Sequence, residues 1–197
     1  MQAYTQTTEY TTAACSLMAV INHFKPDFQL SRENEFLIWQ RTANLPVRAS
    51  SIYGLAIFAK EQGLDPTVVL GEKEFDYPDY RFKRYTKKEI DEAKFSSKLH
   101  NKRARELGIK IDEREFDFKE VKELLKKGRV LMLRLNEGAL RESGSTSKYV
   151  VVYESKNKEF SVMDPKQGLV KVNEDLLKEA FETLESKKKR DHRMIIF

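Results

Sequence analysis

The first strong hydrophobic pattern along the chain runs from Thr12 to Phe24 and predicts a buried helix. Its apolar positions follow the i, i+3, i+4, i+7 spacing of a helical face, at Ala14, Leu17, Met18 and Ile21. Other apolar residues widen this face almost all the way round. A helix of this kind is expected in the middle of a core, and Lys25-Pro26-Asp27 ends it.

Helical patterns dominate the rest of residues 1–108. The predicted elements are a helix capped by Ser31, a helix over 52–62 that begins at Ser50 or Ser51, a strand over 67–70 and a polar helix over 86–107. The segment before the polar helix interleaves aromatic residues with Arg81, Lys83 and Arg84.

Strand patterns dominate residues 109–197. A capping-box pattern at Asp117 and Glu120 begins a helix that Gly128 ends. The later elements are strands over 130–135, 149–153 and 160–163, a hairpin turn at 156–158, a helix from Asn173 to about Leu184, and a strand over 194–197. The glycine- and serine-containing loop 137–147 is expected to be mobile. Helices followed by strands indicate a single α+β domain, with a helical half over about 1–108 and a sheet half over about 109–197.

Composition narrows the possible classes. The 197 residues are 40% hydrophobic, which suits a protein with one folded core. Charged residues make up 34%, and the excess of Lys, Arg and Glu is typical of thermophile proteins. A single cysteine excludes an intrachain disulfide framework and a cysteine-based zinc site. The polar N-terminus is neither a signal nor a transit peptide, and no apolar run is long enough to span a membrane. A cytoplasmic location is therefore expected.

Four positions carry a recognisable layout: Gln6, Thr12, Lys148 and Asp164. Gln6 stands six residues before Thr12, which opens the buried helix. Lys148 precedes a Tyr-Val-Val-Val strand, and Asp164-Pro165 ends the next strand. A thiol peptidase needs a nucleophile at a helix N-terminus, a base, a group that orients the base, and oxyanion donors.

In this layout the chain resembles the bacteriocin-processing-type cysteine peptidases, especially their small cytoplasmic relatives, which begin like QTTEFTCGPACLLMA. The resemblance implies a papain-like α+β fold, in which an N-terminal helical half packs on a C-terminal antiparallel sheet. It places Gln6 as the oxyanion donor, Asp164 as the orienting carboxylate, Thr12 at the nucleophile position and Lys148 at the base position. The family has Cys and His where this chain has Thr12 and Lys148.

Both substituted positions have simple structural interpretations. Thr12 is expected to be the helix N-cap, with its hydroxyl accepting a backbone N–H, and Lys148 to be a solvated lysine. A Thr–Lys dyad is the catalytic alternative, and it requires Lys148 to lose its proton. Cys15, nearly one turn into the helix, is an alternative nucleophile, although core packing is its default role.

The basic segments raise a further possibility. Cations over 81–105 and the run Lys187 to Arg190 are compatible with nucleic acid or an acidic partner, although a solvated surface is the simpler explanation. The three histidines are too scattered to suggest a metal motif, and no cofactor is expected.

Three functions remain open. The leading hypothesis is a catalytically degenerate peptidase relative whose cleft holds an extended peptide or protein terminus. The second is an active amide or peptide hydrolase that uses Cys15 or Thr12 with Lys148 and Asp164. The third is a basic module that binds nucleic acid or an acidic partner.

Overall fold

The computed structural model describes residues 1–73, 85–141, 147–188 and 190–197. The helices are α1 (Thr12–Phe24), α2 (Arg32–Thr42), α3 (Ile52–Glu61), α4 (Lys87–Glu106), α5 (Phe118–Lys126), α6 (Glu137–Arg141) and α7 (Glu174–Lys188). The strands are β1 (Thr67–Leu70), β2 (Lys110–Glu113), β3 (Leu131–Asn136), β4 (Ser147–Lys156), β5 (Glu159–Asp164), β6 (Gly168–Asn173) and β7 (Arg193–Ile196). The predicted aromatic and cationic segment around 74–84, and most of the predicted mobile loop, lie outside the described residues.

Helix α1 is the central helix of the fold. Ten of its residues are buried, which confirms the prediction made from its nearly continuous apolar surface. It packs on the sheet chiefly through β4 and on its other side against α2 and α3. The hydroxyl of Ser16 donates to the carbonyl oxygen of Tyr149 at 2.9 Å, which fixes the helix against the start of β4.

Local capping chemistry begins most of the other helices, and the caps at Ser31, Ser51, Asp117 and Asn173 were predicted. The hydroxyls of Ser31 and Ser51 accept backbone N–H groups at the starts of α2 and α3. Thr86 and Glu89 form a reciprocal capping box at α4. The carboxylate of Asp117 accepts the N–H of Glu120 at 2.8 Å, and the side chain of Asn173 accepts the N–H of Leu176 at the same distance. These bonds satisfy N–H groups that a helix leaves unpaired.

The described strands form one seven-stranded sheet in the order β2-β1-β7-β3-β4-β5-β6. The sheet is mixed, because β1 and β2 pair in parallel while the other neighbours are antiparallel. The expectation of an antiparallel sheet is therefore wrong at this edge. Strand β1, from the helical half, pairs with β7 near the C-terminus. The predicted turn between β4 and β5 is confirmed, with positive φ at Asn157 and Lys158 as tight hairpins require.

Helices cover both faces of the sheet. Successive residues of β4 are buried on opposite faces: Val151 packs with α1 and α3, whereas Val150 and Val152 pack with α5 and α7. A strand with both sides buried needs a layer of helices on each side. The sheet is thus the middle layer of an α+β fold, rather than a half on which a single helical half packs.

Three elements differ from the sequence expectations. Strand β2 has the sequence KIDE and is only partly buried, so it lacks an apolar signal. Strand β6 pairs with β5 along its whole length, although only its first and fifth residues are buried. Helix α6 occupies the start of the predicted loop 137–147, and β4 begins at Ser147, two residues before the predicted strand.

Candidate functional site

The N-terminus of α1 forms the centre of the candidate site. Thr11, rather than Thr12, occupies the N-cap position, and its carbonyl oxygen accepts the N–H of Cys15 at 2.9 Å. Thr11 makes no capping bond with its side chain. The expectation that the Thr12 hydroxyl caps the helix is therefore wrong. Thr12 is the first helical residue and is 4% exposed, and its Oγ1 has no hydrogen-bond partner within the described part of the chain.

The Thr11 hydroxyl is directed to Glu35 in α2 instead of to its own helix. Glu35 is completely buried. Its carboxylate accepts hydrogen bonds from the Tyr4 hydroxyl at 3.0 Å, from the Thr7 N–H and hydroxyl, each at 2.9 Å, and from the Thr11 hydroxyl. A buried charge with this many donors is strongly compensated. Glu35 therefore fixes the segment that carries Gln6 and leads into α1.

A pocket of about 320 Å³ opens beside the first turn of α1. It contains two of the predicted site residues, Thr12 and Lys148. Its full lining consists of Glu9, Tyr10, Thr12, Ala13, Arg48, Ala49, Ser50, Arg134, Ser147, Lys148, Tyr149, Arg190 and Arg193. The fold thus brings the predicted nucleophile and base positions to one pocket, although 135 residues separate them in the sequence.

Lys148 is held against the entrance to α1. It lies near the start of β4, where it pairs with Leu135 of β3. Its ammonium donates to the carbonyl oxygen of Glu9 at 2.8 Å. This partly exposed lysine thus makes a hydrogen bond to the segment that leads into α1.

Asp164 and Gln6 lie together, outside the lining of the pocket. Asp164 is buried at the end of β5, and its Oδ1 accepts the N–H of Lys166 at 2.7 Å. The backbone N–H of Gln6 donates to the carbonyl oxygen of Pro165 at 2.7 Å. Within the described residues, the buried Oε1 of Gln6 has no hydrogen-bond partner. The Asp164-Pro165 turn therefore anchors Gln6 through its backbone.

Cys15 has the environment of a core residue. Its side chain is completely buried, and its Sγ lies 3.5 Å from the carbonyl oxygen of Tyr4. Burial raises the pKa of the Cys15 thiol well above its ordinary value, and the negative charges of Glu35 and Asp164 raise it further. A reactive thiol requires a lowered pKa and access to substrate. The surroundings of Cys15 supply neither.

The histidines lie away from the pocket lining. His100 pairs through Nδ1 with the side-chain oxygen of Asn44, at 3.2 Å, and the ring of His192 stacks on Phe181 with centroids 3.9 Å apart. His23 is exposed near the end of α1. In the described ranges, no cluster of three or more His, Cys, Asp or Glu side chains is placed to hold a metal ion.

The pocket also contains a group of cations that sequence analysis missed. Arg48, Arg134, Arg190 and Arg193 join Lys148 in its wall, and the five cations come from four separate segments of the chain. Asp191 is buried beneath them and pairs with Arg134 at 3.1 Å and with Arg193 at 2.8 Å. The pair between Arg134 and Asp191 leaves no local sequence pattern, because its partners are 57 positions apart.

The family match places this α+β protein, which has a pocket at the N-terminus of its central helix, in the cysteine-peptidase-like class. Residues 1–185 match the family described as the Peptidase_C39 like family, and the chain belongs to that family. The match confirms the peptidase-like family relationship that the sequence resemblance indicated. No curated protein matches the chain. Over the residues that the structure describes, no helix is long and apolar enough to cross a membrane.

Proposed function

We propose that this chain is a catalytically degenerate papain-like peptidase relative, which binds an extended peptide or a protein terminus without cleaving it. The observation that carries the proposal is that Thr12 and Lys148 both line one pocket, at the N-terminus of the central helix. The family resemblance assigns these two positions to the nucleophile and the base of a thiol peptidase, and both side chains are chemically unsuited to those roles.

Thr12 lacks the activation that an alcohol needs. A hydroxyl nucleophile works with a base that accepts its proton across a hydrogen bond. The Thr12 hydroxyl has no such partner among the described residues, and the Lys148 ammonium donates to Glu9. A Thr–Lys dyad would require Lys148 to give up both a proton and this contact.

Cys15 does not restore the chemistry. Its side chain is closed off in the core, and burial raises the pKa of its thiol. For Cys15 to reach the pocket, α1 would have to turn or unwind. The hydrogen bond from Ser16 to Tyr149 of β4 opposes such a movement. A hydrolase that uses Cys15 is therefore the weaker hypothesis.

A measurement of peptide binding, combined with a check for cleavage, tests the proposal directly. The probe is a pool of acetylated tetrapeptides with a free carboxylate, varied at the last residue and incubated with the full chain. A ligand that binds only the folded state raises the melting temperature with its concentration. We expect stabilisation, and mass spectrometry should show every peptide intact.

Ala49→Trp provides a blocked variant, because Ala49 is exposed at the pocket wall and an indole there fills the opening. Gln40→Trp places the same side chain on an exposed position of α2 as a control. Cleavage of the peptides, or equal stabilisation of both variants, contradicts the proposal.

A further inference from the structure

We propose that one face of α4 pairs with the same face of a second copy of the chain, so that two α4 helices lie antiparallel about a twofold axis. The inference goes beyond the proposed function, because none of the described residues that line the peptide pocket belongs to α4. It requires an exposed apolar centre on the helix and charges that become complementary when the helix is turned end to end.

Helix α4 has one buried side and one exposed side. The buried side consists of Ile90, Ala93, Ser97 and Ala104. On the opposite side, Phe95 is 64% exposed and Leu99 is 53% exposed. Side chains four positions apart are neighbours on a helix, so these two form one apolar ridge that faces solvent. A ridge of this size does not by itself require a partner, and the charges around it therefore decide whether it has one.

Charged residues flank the apolar ridge in an order that is complementary to its own reverse. Six exposed residues recur at alternating steps of four and three positions and form the α4 face: Lys88, Glu92, Phe95, Leu99, Lys102 and Glu106. This spacing is that of the contact positions of a helix pair. When two copies lie antiparallel, the first residue of one meets the last of the other, so each lysine meets a glutamate and each phenylalanine meets a leucine. A parallel pair would place like charges opposite one another.

The contacts of the antiparallel pair are reciprocal, as a twofold axis requires. Glu92 of one copy meets Lys102 of the second copy, and the same contact recurs on the other side of the axis. Within each helix, Lys88 already lies 3.9 Å from Glu92, and Lys102 lies 3.9 Å from Glu106. These contacts between neighbouring turns keep the charged groups on the α4 face, where each can take a second partner of opposite charge.

An open depression beside Phe95 has the shape that the partner helix needs. Its volume is about 610 Å³, and it is lined by Lys87, Lys88, Asp91, Glu92 and Phe95. Positions 88, 91, 92 and 95 have the spacing of a hole into which a facing helix inserts a side chain. In the antiparallel pair, Lys102 of the second copy enters this hole. Its methylene stem packs on the ring of Phe95, and its ammonium lies near the carboxylate of Glu92.

The expected association is weak. Each copy contributes only Phe95 and Leu99 to the apolar centre, and exposed Lys98 beside the axis would approach its own counterpart. An interface of this kind falls in the class of transient contacts, below about 1,200 Å² of total buried surface. We therefore expect a dissociation constant on the order of 100 μM.

Sedimentation velocity of the full chain tests the association, at concentrations from about 5 μM to about 1 mM in low salt, where exposed charges are less screened. The mass should rise from that of the 23.1 kDa monomer toward that of a dimer. Phe95→Gln should weaken the dimer by at least about tenfold. Phe24→Gln is the matched control, because Phe24 is an exposed phenylalanine at the end of α1, and it should leave the dimer unchanged.

Charge reversals determine the orientation of the two helices. Glu92→Lys alone and Lys102→Glu alone each bring like charges together at two symmetric contacts, so each should weaken the dimer by at least about tenfold. The double substitution should restore it, and an equimolar mixture of the two single variants should form a heterodimer. Glu123→Lys is the control, since Glu123 is exposed on α5 and lies 4.0 Å from Lys119, four positions earlier, as Glu92 lies near Lys88.

The outcomes either support the inference or overturn it. A chain that remains monomeric at about 1 mM overturns it. A dimer that Phe95→Gln and the single charge reversals leave intact uses another surface and also overturns it. Failure of the double reversal to associate, with circular dichroism showing a folded chain, overturns the antiparallel arrangement. The peptide pocket lies on other elements, so loss of the dimer in any variant leaves the proposed function standing.

Discussion

The carboxylate of Glu35 in α2 accepts the backbone N–H of Thr7, with 2.9 Å between nitrogen and Oε1. This bond joins the second helix to the segment that leads into the first. Gln6 lies directly before Thr7 and is bonded through its own N–H to Pro165. The position of the N-terminal segment is therefore set from both sides, by α2 and by the end of β5.

Glu35→Gln should destabilise the protein. The amide keeps the shape of the side chain, but it removes the charge and turns one acceptor into a donor that faces other donors. Hydrogen bonds to a buried charge contribute about 1.5–3 kcal/mol each in net terms, so we expect the free energy of unfolding to fall by about 2–4 kcal/mol. Urea denaturation measures this change.

Hydrogen exchange at the Thr7 amide gives a local measure of the same substitution. It should accelerate in Glu35→Gln by more than exchange in the core strands. Glu185→Gln is the control, because Glu185 is exposed on α7 and should change stability by less than about 0.5 kcal/mol. Equal effects of the two substitutions would show that Glu35 has no special structural role.

Thr11 and Thr12 are adjacent buried threonines with opposite expected responses. Thr11→Val removes a hydrogen bond to the buried Glu35 and should cost about 1.5–3 kcal/mol. Thr12→Val removes a hydroxyl that has no partner among the described residues, so stability should stay the same or rise by up to about 1 kcal/mol. Thermal and urea unfolding of the two variants test this difference. A larger loss for Thr12→Val would place an essential hydrogen bond at Thr12.

The role of Glu35 shows where sequence analysis was limited. A glutamate in the first turn of a helix ordinarily interacts favourably with the helix dipole and remains exposed to solvent, as Glu33 does. However, Glu35, Ile38 and Thr42 are the buried residues of α2 and share the i, i+3, i+7 spacing of one face. A charged residue on a buried stripe indicates a structural role. Its donors lie 24 to 31 positions away and could be identified only from the fold.

The main helices and central strands were predictable because their apolar spacing and capping residues are local. Strand β2 was not, because a partly exposed edge strand of polar residues is determined by its pairing with β1. The co-location of Thr12 and Lys148 followed from the family resemblance, since no local pattern relates a helix start to a distant strand. The arginines of the pocket were missed for the same reason.

Asp191 should make the free energy of unfolding depend on pH in the acid range. Burial opposes ionisation of this carboxyl, but Arg193 and Arg134 outweigh it and hold the pKa of Asp191 below its usual value. A lowered folded-state pKa stabilises the protein above the unfolded-state pKa of about 3.9. This contribution is lost as pH falls through the folded value. We therefore expect a decline in unfolding free energy below about pH 4.

Asp191→Asn should remove the dependence on Asp191 and lower stability at neutral pH by about 3–5 kcal/mol, because Arg193 and Arg134 lose their shared carboxylate. Unfolding free energies measured from acid to neutral pH test both parts. Asp65→Asn is the comparison, since Asp65 is an exposed carboxylate paired with Lys60. If the free energy of unfolding of Asp191→Asn falls by the same amount at acid pH as that of the unsubstituted protein, other groups cause the pH dependence.

Cys15 should react slowly with iodoacetamide in the folded protein. Its thiol is buried, and its pKa is raised by burial, with the charges of Glu35 and Asp164 adding to the effect. Alkylation requires a thiolate, so labelling should accelerate by at least about a hundredfold when the chain is unfolded in urea. Mass spectrometry of timed samples measures both rates. Rapid labelling of the folded chain that unfolding abolishes would instead support an active thiol.

The double substitution Thr12→Cys and Lys148→His should restore a reactive thiol if the scaffold has kept its geometry. The helix N-terminus and a histidine in the pocket wall both favour a thiolate, so the pKa of the new thiol should fall below about 8.5, its ordinary value. The Cys15→Ser background leaves the new thiol as the only one in the chain. The dependence of the iodoacetamide rate on pH measures the pKa. Thr12→Cys alone, with Lys148 retained, separates the effect of the helix and neighbouring cations from that of the base. An unreactive thiol in both variants would mean that the pocket no longer has the geometry of a peptidase site, and degeneracy would then extend beyond the two side chains.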